Sequence, residues 1–340
     1  MECTFLMCSE RSGSNLITRL LDSHSHYCGP SPTHLFRVLL DHRDRYGDLS
    51  DDGNWSRLVG DAVELFNTQI GVWRTTWDPA RLTAATPRRT LGALLVTIYA
   101  AEAEAHGKPR IFIKENHLYR YLPFLLAEFP DLRVVWVVRD PRDMALSWKR
   151  SPNLRGCVIR AARTWQADQS EALRVYAQLR DSGRIALLRY EDLVADAPAV
   201  LEPLCADLDI PFEPEMTGLD RNAWSARIAE RSADWENVRK PIMSTNFNKY
   251  RGALSEAEIR TIEARCGTEM DLLGYARDYE MPGDIASLEA EIAPLELHEK
   301  PAYQDLPEAE RRARAARHAV VKAIAARPRL SPLAMESAPV

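Results

Sequence analysis

The chain is poor in cysteine, and what it has is dispersed. Cys3, Cys8, Cys28, Cys157, Cys205 and Cys266 include no CxxC pair, so neither a zinc site nor a disulfide framework is indicated, and buried free thiols are expected. No ligand cluster at metal-binding spacing is evident either, and no metal is expected. Long apolar runs are missing: nothing approaches the roughly 20 residues that a membrane span needs. The apolar start Met1–Cys8 is too short for a signal-peptide core and has no basic lead or small-residue cleavage site, so a cytoplasmic location is expected. Positive charge is not in excess. With 44 Lys and Arg against 49 Asp and Glu, the formal charge is -5 and the isoelectric point about 6.0, which gives no general attraction to nucleic acid or an anionic membrane. An anionic ligand needs its own basic pocket. No internal repeat is evident.

Apolar content, by contrast, is ample: 46% over 340 residues supports a large core in one big domain with an appendage or in two modest ones. Short runs rich in Val, Ile and Phe alternate with stretches of helical period, the pattern of α/β layers around a parallel sheet. Strands are expected at Thr4–Cys8, Arg110–Lys114, Arg133–Val138 and Arg184–Arg189. The third, Arg-Val-Val-Trp-Val-Val, is apolar enough for the sheet centre. Helices are expected over Asn15–Ser23, His34–Arg45, Trp55–Ile70, Arg88–His106, Tyr119–Glu128, Pro141–Lys149, Arg155–Asp181, Ala199–Leu208 and Glu256–Leu273. Past Tyr279 the composition shifts through Met281-Pro282-Gly283, and an Ala- and Arg-rich helix is expected over Pro307–Arg327. Residues 280–340 thus read as a helical, partly flexible extension of a main domain at 1–279. Arg311, Arg312, Arg314, Arg317 and Lys322 spread around that helix, which favours a solvated face or docking arm over a nucleic-acid helix.

Two segments look built for anions. Strand one runs into Ser9-Glu10-Arg11-Ser12-Gly13-Ser14-Asn15 before an apolar helix, where backbone N–H groups and the positive helix end can face a phosphate or sulfate. Arg11 adds a full charge, and Ser12 and Ser14 add hydroxyl donors. The plainer alternative is that Gly13 makes a tight turn and Ser14 caps the helix. A Walker A loop is disfavoured, because Ser14 and Asn15 follow Gly13 where a Lys would be required. The central strand ends in Arg139-Asp140-Pro141-Arg142-Asp143 with Ser147 further on. Asp140 suits an N-cap, Pro141 the first helical position and Asp143 a capping-box acid, none of which accounts for Arg139. That residue lies at the carboxyl edge where α/β sheets bind ligands, and Ser147 can face the same crevice. Two anion sites on one edge suit a ligand with two phosphate-like groups.

In this order the motifs resemble the sulfotransferase family that uses 3′-phosphoadenosine 5′-phosphosulfate (PAPS). Arg189-Tyr190-Glu191-Asp192-Leu193 resembles its Tyr-Glu-Asp-Leu signature, and Pro241–Arg251 its nucleotide-closing loop. The similarity runs over about residues 3 to 275. It implies an α/β fold with a P-loop-like parallel sheet flanked by helices and a C-terminal helical extension, with residues 24–108 supplying mainly acceptor-binding helices. It places Arg11, Ser12, Gly13, Ser14 and Asn15 on the 5′-phosphosulfate, Arg139 and Ser147 on the 3′-phosphate, and Tyr190 near the base. Asn15 stands where the family usually has Thr. Met243-Ser244-Thr245 replaces a common Arg-Lys-Gly, and Ser244 and Thr245 are assigned to the 3′-phosphate.

Sulfuryl transfer by in-line attack needs a base for the acceptor hydroxyl and positive charge near the leaving oxygen. His34, Glu115 and His117 are the candidate bases. His34 is preferred because imidazole titrates near neutral pH, and His117 stands three residues after Lys114 where related proteins have two. Lys114 and Arg11 would stabilise the leaving group. Trp73 and Trp77 suit core packing more than an acceptor platform. The expected partner is a hydroxyl-bearing small molecule, sugar or lipid, with PAP (3′-phosphoadenosine 5′-phosphate) as spent donor; a homodimer is also considered. A nucleotide-dependent phosphotransferase and a catalytically inactive nucleotide-binding protein are the alternatives.

Overall fold

Side-chain alternation along the first strand divides the interior in two. In β1 (Glu2–Cys8) Phe5 and Met7 enter one apolar cluster while Leu6 and Cys8 enter another on the opposite face, as a pleated strand dictates. The computed structural model describes residues 2–219, 240–280, 284–297, 301 and 303–330. Its sheet has five parallel strands in the order β2-β3-β1-β4-β5, with β2 at Tyr27–Cys28, β3 at Arg110–Lys114, β4 at Arg133–Val138 and β5 at Ile185–Arg189. β4 is buried along its whole apolar run, as a strand covered by helices on both faces must be. The architecture is the expected α/β sheet flanked by helices, with further helices at the C-terminal end.

Helix α1 (Ser14–Asp22) follows β1. α2 (Leu35–Asp41), α3 (Asp52–Asn67), α4 (Pro79–Ala85) and α5 (Leu91–Ala105) lie between β2 and β3. After β3 come α6 (Leu122–Glu128), β4, α7 (Pro141–Lys149) and α8 (Val158–Leu179). After β5 come α9 (Tyr190–Ala195), α10 (Ala197–Asp207), α11 (Glu256–Leu272), α12 (Ile285–Ile292) and α13 (Glu308–Ala325).

Four elements go beyond those expected. β2 spans two residues, too few to show a period, while α4, α9 and α12 are short. α4 did carry a start signal: the Asp78 carboxylate accepts from the Arg81 N–H, and Pro79 opens the helix. The expected helix over His34–Arg45 ends early at Asp41 and gives way to a 3-10 turn at Arg43–Arg45. Trp73 and Trp77 lie on irregular chain between α3 and α4. Trp73 packs edge-on against Phe66 and Tyr99 and donates to the Ser31 carbonyl at 3.0 Å, and Trp77 is buried in the same core. All six cysteines are buried free thiols. Among the described residues no helix is long and apolar enough to cross a membrane.

The last helix joins the main body. Val320 and Ile324 of α13 enter the larger core, and Arg327 just beyond it pairs with the buried Asp61 of α3, Nη2 to Oδ1 at 2.7 Å.

Candidate active site

β1 and β4 are neighbours, with Cys8 opposite Val137, so the loops that leave their carboxyl ends meet at one edge of the sheet. In the first loop Arg11 and Gly13 both take positive φ, 65° and 87°. Gly13 is required for a second reason: a Cβ there would lie 2.1 Å from Cδ2 of Tyr190. Gly13 is the N-cap of α1 and no side chain caps the helix; Ser14 is the first helical residue, not the cap. Gly13, Ser14 and Asn15 line the cleft, where a helix start attracts an anion. Ser12 is fully buried, and its Oγ has no hydrogen-bond partner among the described residues.

The second loop locks onto the first. Arg139 donates to the Arg11 carbonyl at 3.1 Å and to the Asn246 carbonyl at 3.4 Å. Its guanidinium lies 4.5 Å from the Tyr190 ring centroid, a cation–π contact. The Nε of Arg139 is buried and unpaired among the described residues. Arg11 donates from Nε to Ser147 Oγ at 3.0 Å, so Ser147 does face back into the crevice. Asp140 caps α7 as expected. Asp143 does not close a capping box: its carboxylate accepts from the Asn248 and Tyr250 N–H groups at 2.5 and 3.0 Å, anchoring the 246–250 segment. Burial raises the pKa of Asp143, with Arg139 opposing.

Of the closing segment, Asn246 donates to the Tyr190 hydroxyl at 2.6 Å. Met243, Asn246 and Lys249 line the cleft, whereas Ser244 and Thr245 are exposed on a turn and do not.

Across the cleft, Lys114 at the end of β3 donates to Asn15 Oδ1 at 2.6 Å, which holds its ammonium over the start of α1. His34, at φ 55°, precedes α2 rather than lying in it. Its Nδ1 lies 3.6 Å from Oε2 of Glu115, which is fully buried. Neither carboxylate oxygen has a hydrogen-bond partner among the described residues. Enclosure lowers the pKa of His34, and Glu115 partly offsets this. His117 belongs to a different pair: Nδ1 is 3.1 Å from Asp168 Oδ1, and the Tyr119 hydroxyl donates to the same oxygen at 2.8 Å. His34, Lys114, His117, Arg11 and Arg139 all line one cleft of about 1590 Å³.

Residues 4–214 match the model of the sulfotransferase family. This chain belongs to that family. Human carbohydrate sulfotransferase 3 is 30% identical over 56% of this chain and 44% of its own length. Mouse carbohydrate sulfotransferase 5 is 26% identical over 45% of this chain and 44% of its own. The chain thus spans less than half the length of these curated relatives. In fold, it resembles the sulfotransferase domain of the Synechococcus PCC 7002 olefin synthase, with a TM-score of 0.56 at 18% identity, over 83% of this chain and 96% of that domain.

Several residues of this sulfotransferase-family cleft escaped the sequence reading. Asp168 of α8 backs the cleft-lining His117, and Arg314, Arg317 and His318 reach the cleft from α13. Arg317 donates Nη1 to the Leu65 carbonyl at 2.6 Å and Nη2 to the Thr33 carbonyl. Arg314 and Arg317, expected on a solvated face or docking arm, instead line the cleft, because a helix in isolation does not say which face meets a cleft.

Proposed function

We propose that this protein transfers a sulfuryl group from PAPS to an acceptor hydroxyl, with His34 as general base. One observation carries the reading: the loops after β1 and β4 interlock through Arg11, Ser147 and Arg139 into a paired anion cradle, and His34, backed by Glu115, lines the same cleft. The cradle's chemistry fits the donor. Ser12 Oγ and Arg139 Nε are buried donors without partners among the described residues, a costly state that a bound oxyanion relieves. Arg11, Ser12, Gly13, Ser14 and Asn15 would hold the 5′-phosphosulfate, Arg139 and Ser147 the 3′-phosphate, and Tyr190 the base.

When bound, the donor supplies an activated sulfuryl group on a phosphate leaving group. Burial lowers the pKa of His34, which favours the neutral imidazole that can accept a proton. With Nδ1 turned toward Glu115, Nε2 is the nitrogen available to the acceptor, and the carboxylate stabilises the imidazolium that forms. Lys114 and Arg11 place positive charge where the leaving oxygen gains negative charge. Similarity to carbohydrate sulfotransferases supports a sugar hydroxyl among the acceptors.

A second assignment of the base has its own observation: His117 is in hydrogen-bond range of Asp168 at 3.1 Å, closer than His34 is to Glu115. His34→Gln and His117→Gln separate the two, because only loss of the base removes turnover while PAP still binds. The donor is tested by calorimetric titration with PAP and with ADP, without magnesium. PAP should bind at least about tenfold tighter, the scale of one charge-assisted hydrogen-bonded contact to the 3′-phosphate. Equal affinities, or no PAP binding where a parallel titration with ATP and magnesium shows binding, would overturn the donor assignment in favour of phosphoryl transfer.

A further inference from the structure

Besides the interlocked loops, two arginines from other elements line the cleft. Arg37 of α2 lies one helical turn beyond His34, and α13 contributes Arg317. Acidic groups nearby are mostly engaged. Asp41 pairs with Arg120 at 3.1 Å and accepts from the Tyr121 hydroxyl at 2.8 Å, while Glu310 pairs with Arg314 at 2.6 Å. Glu115 sits behind His34. Arg37 makes no hydrogen bond or ion pair among the described residues. Among the described residues Arg317 donates to the neutral carbonyls of Leu65 and Thr33, which aim its guanidinium without neutralising it.

The two arginines feel each other and His34. Burial, with the charge of Arg37 adding to it and Glu115 opposing, pushes Arg317 down to about 10. Both arginine charges also bear on His34. Arg317 meets the charge of the buried Glu115, while Arg37 makes no ion pair among the described residues, so the two guanidiniums carry positive charge that an anion on the ligand would relieve. The donor cradle does not need them, because Arg139 and Arg11 close on Tyr190, Asn246 and Ser147 instead.

We propose that Arg37 and Arg317 form a subsite for an anionic group carried by the acceptor, so that the substrate is an acidic alcohol bearing a carboxylate, sulfate or phosphate. The proposal rests on the sulfotransfer reading for its acceptor. It gives the C-terminal segment a role in selectivity, since Arg317 lies outside the family-matched residues 4–214. That segment is tied down by Arg327 on Asp61 and by Arg45, which donates to the Arg327 carbonyl at 2.7 Å.

The test measures binding to the PAP-loaded protein and needs no turnover. Matched probes are methyl glucuronide against methyl glucoside, and 3-hydroxyoctanoate against 1,3-octanediol. The 6-sulfate and 6-phosphate of methyl glucoside identify which anion is preferred. At least one charged probe should bind about tenfold or more tightly than its neutral partner, the scale of one charge-assisted contact, and Arg37→Gln should collapse that ratio toward one. Failure of every charged probe to outbind its neutral partner overturns the subsite. So does equal weakening of charged and neutral probes by Arg37→Gln, or loss of PAP affinity in that variant, which would move Arg37 to the donor. Failure of the wild-type protein to bind PAP at all would instead count against the sulfotransfer reading.

Discussion

Arg11 donates from Nε to the hydroxyl of Ser147 across 3.0 Å, although 136 residues separate them in sequence. The bond joins the loop after β1 to the helix after β4, and with the Arg139 bond to the Arg11 carbonyl it sets the two halves of the proposed anion cradle against each other. Arg11→Ala and Ser147→Ala should each weaken PAP binding by about tenfold, and the double variant by less than the product of the two, with a coupling of about 1 kcal/mol. Calorimetric titration of the four proteins closes the cycle. Full additivity would mean the loops act independently.

Gly13→Ala should unfold the site before it affects chemistry. The new methyl would meet Tyr190 at 2.1 Å on a backbone held at φ 87°, so a loss of about 3 kcal/mol or more is expected in urea unfolding. Adding Tyr190→Ala removes the clash but not the backbone strain. The double variant should therefore be less damaged than the sum of the singles.

The pH profile reports on His34. Its pKa is lowered from the ordinary 6.5, and a base works only when neutral, so the midpoint of the acid limb of kcat/KM should lie below pH 6.5. His34→Gln should cost about 100-fold or more in turnover with PAP affinity kept. Glu115 raises the pKa of His34, so Glu115→Gln should move the acid limb to still lower pH. Abolished turnover in Glu115→Gln with full turnover in His34→Gln would make the glutamate the base.

The meeting of the two loops was legible because their residues sit where strands end. Arg11, Gly13, Arg139 and Tyr190 each follow an apolar run, and the strand fixes their edge. Four strands showed as such runs, while Tyr27–Cys28 pairs with β3 over too few residues to carry a period. Asp143 had the spacing of a capping-box acid, yet the Asn248 and Tyr250 amides claim its carboxylate, a tertiary partner that local pattern cannot show. The closing loop follows the same lesson: Asn246 turns in to Tyr190 while its neighbours Ser244 and Thr245 face out. His34 and Glu115 read as rival bases; the fold makes them one pair, because the turn before α2 meets the end of β3.

The most direct measurement is transfer itself. The purified protein is incubated with PAPS carrying labelled sulfur and with hydroxylated acceptors that include acidic sugars, without magnesium, and labelled product and released PAP are counted. One PAP should appear for each sulfated molecule, and both should fall about 100-fold or more in His34→Gln. Donor cleavage without an acceptor product, or product formation that survives loss of His34, Glu115 and His117 alike, would contradict base-catalysed sulfuryl transfer in this cleft.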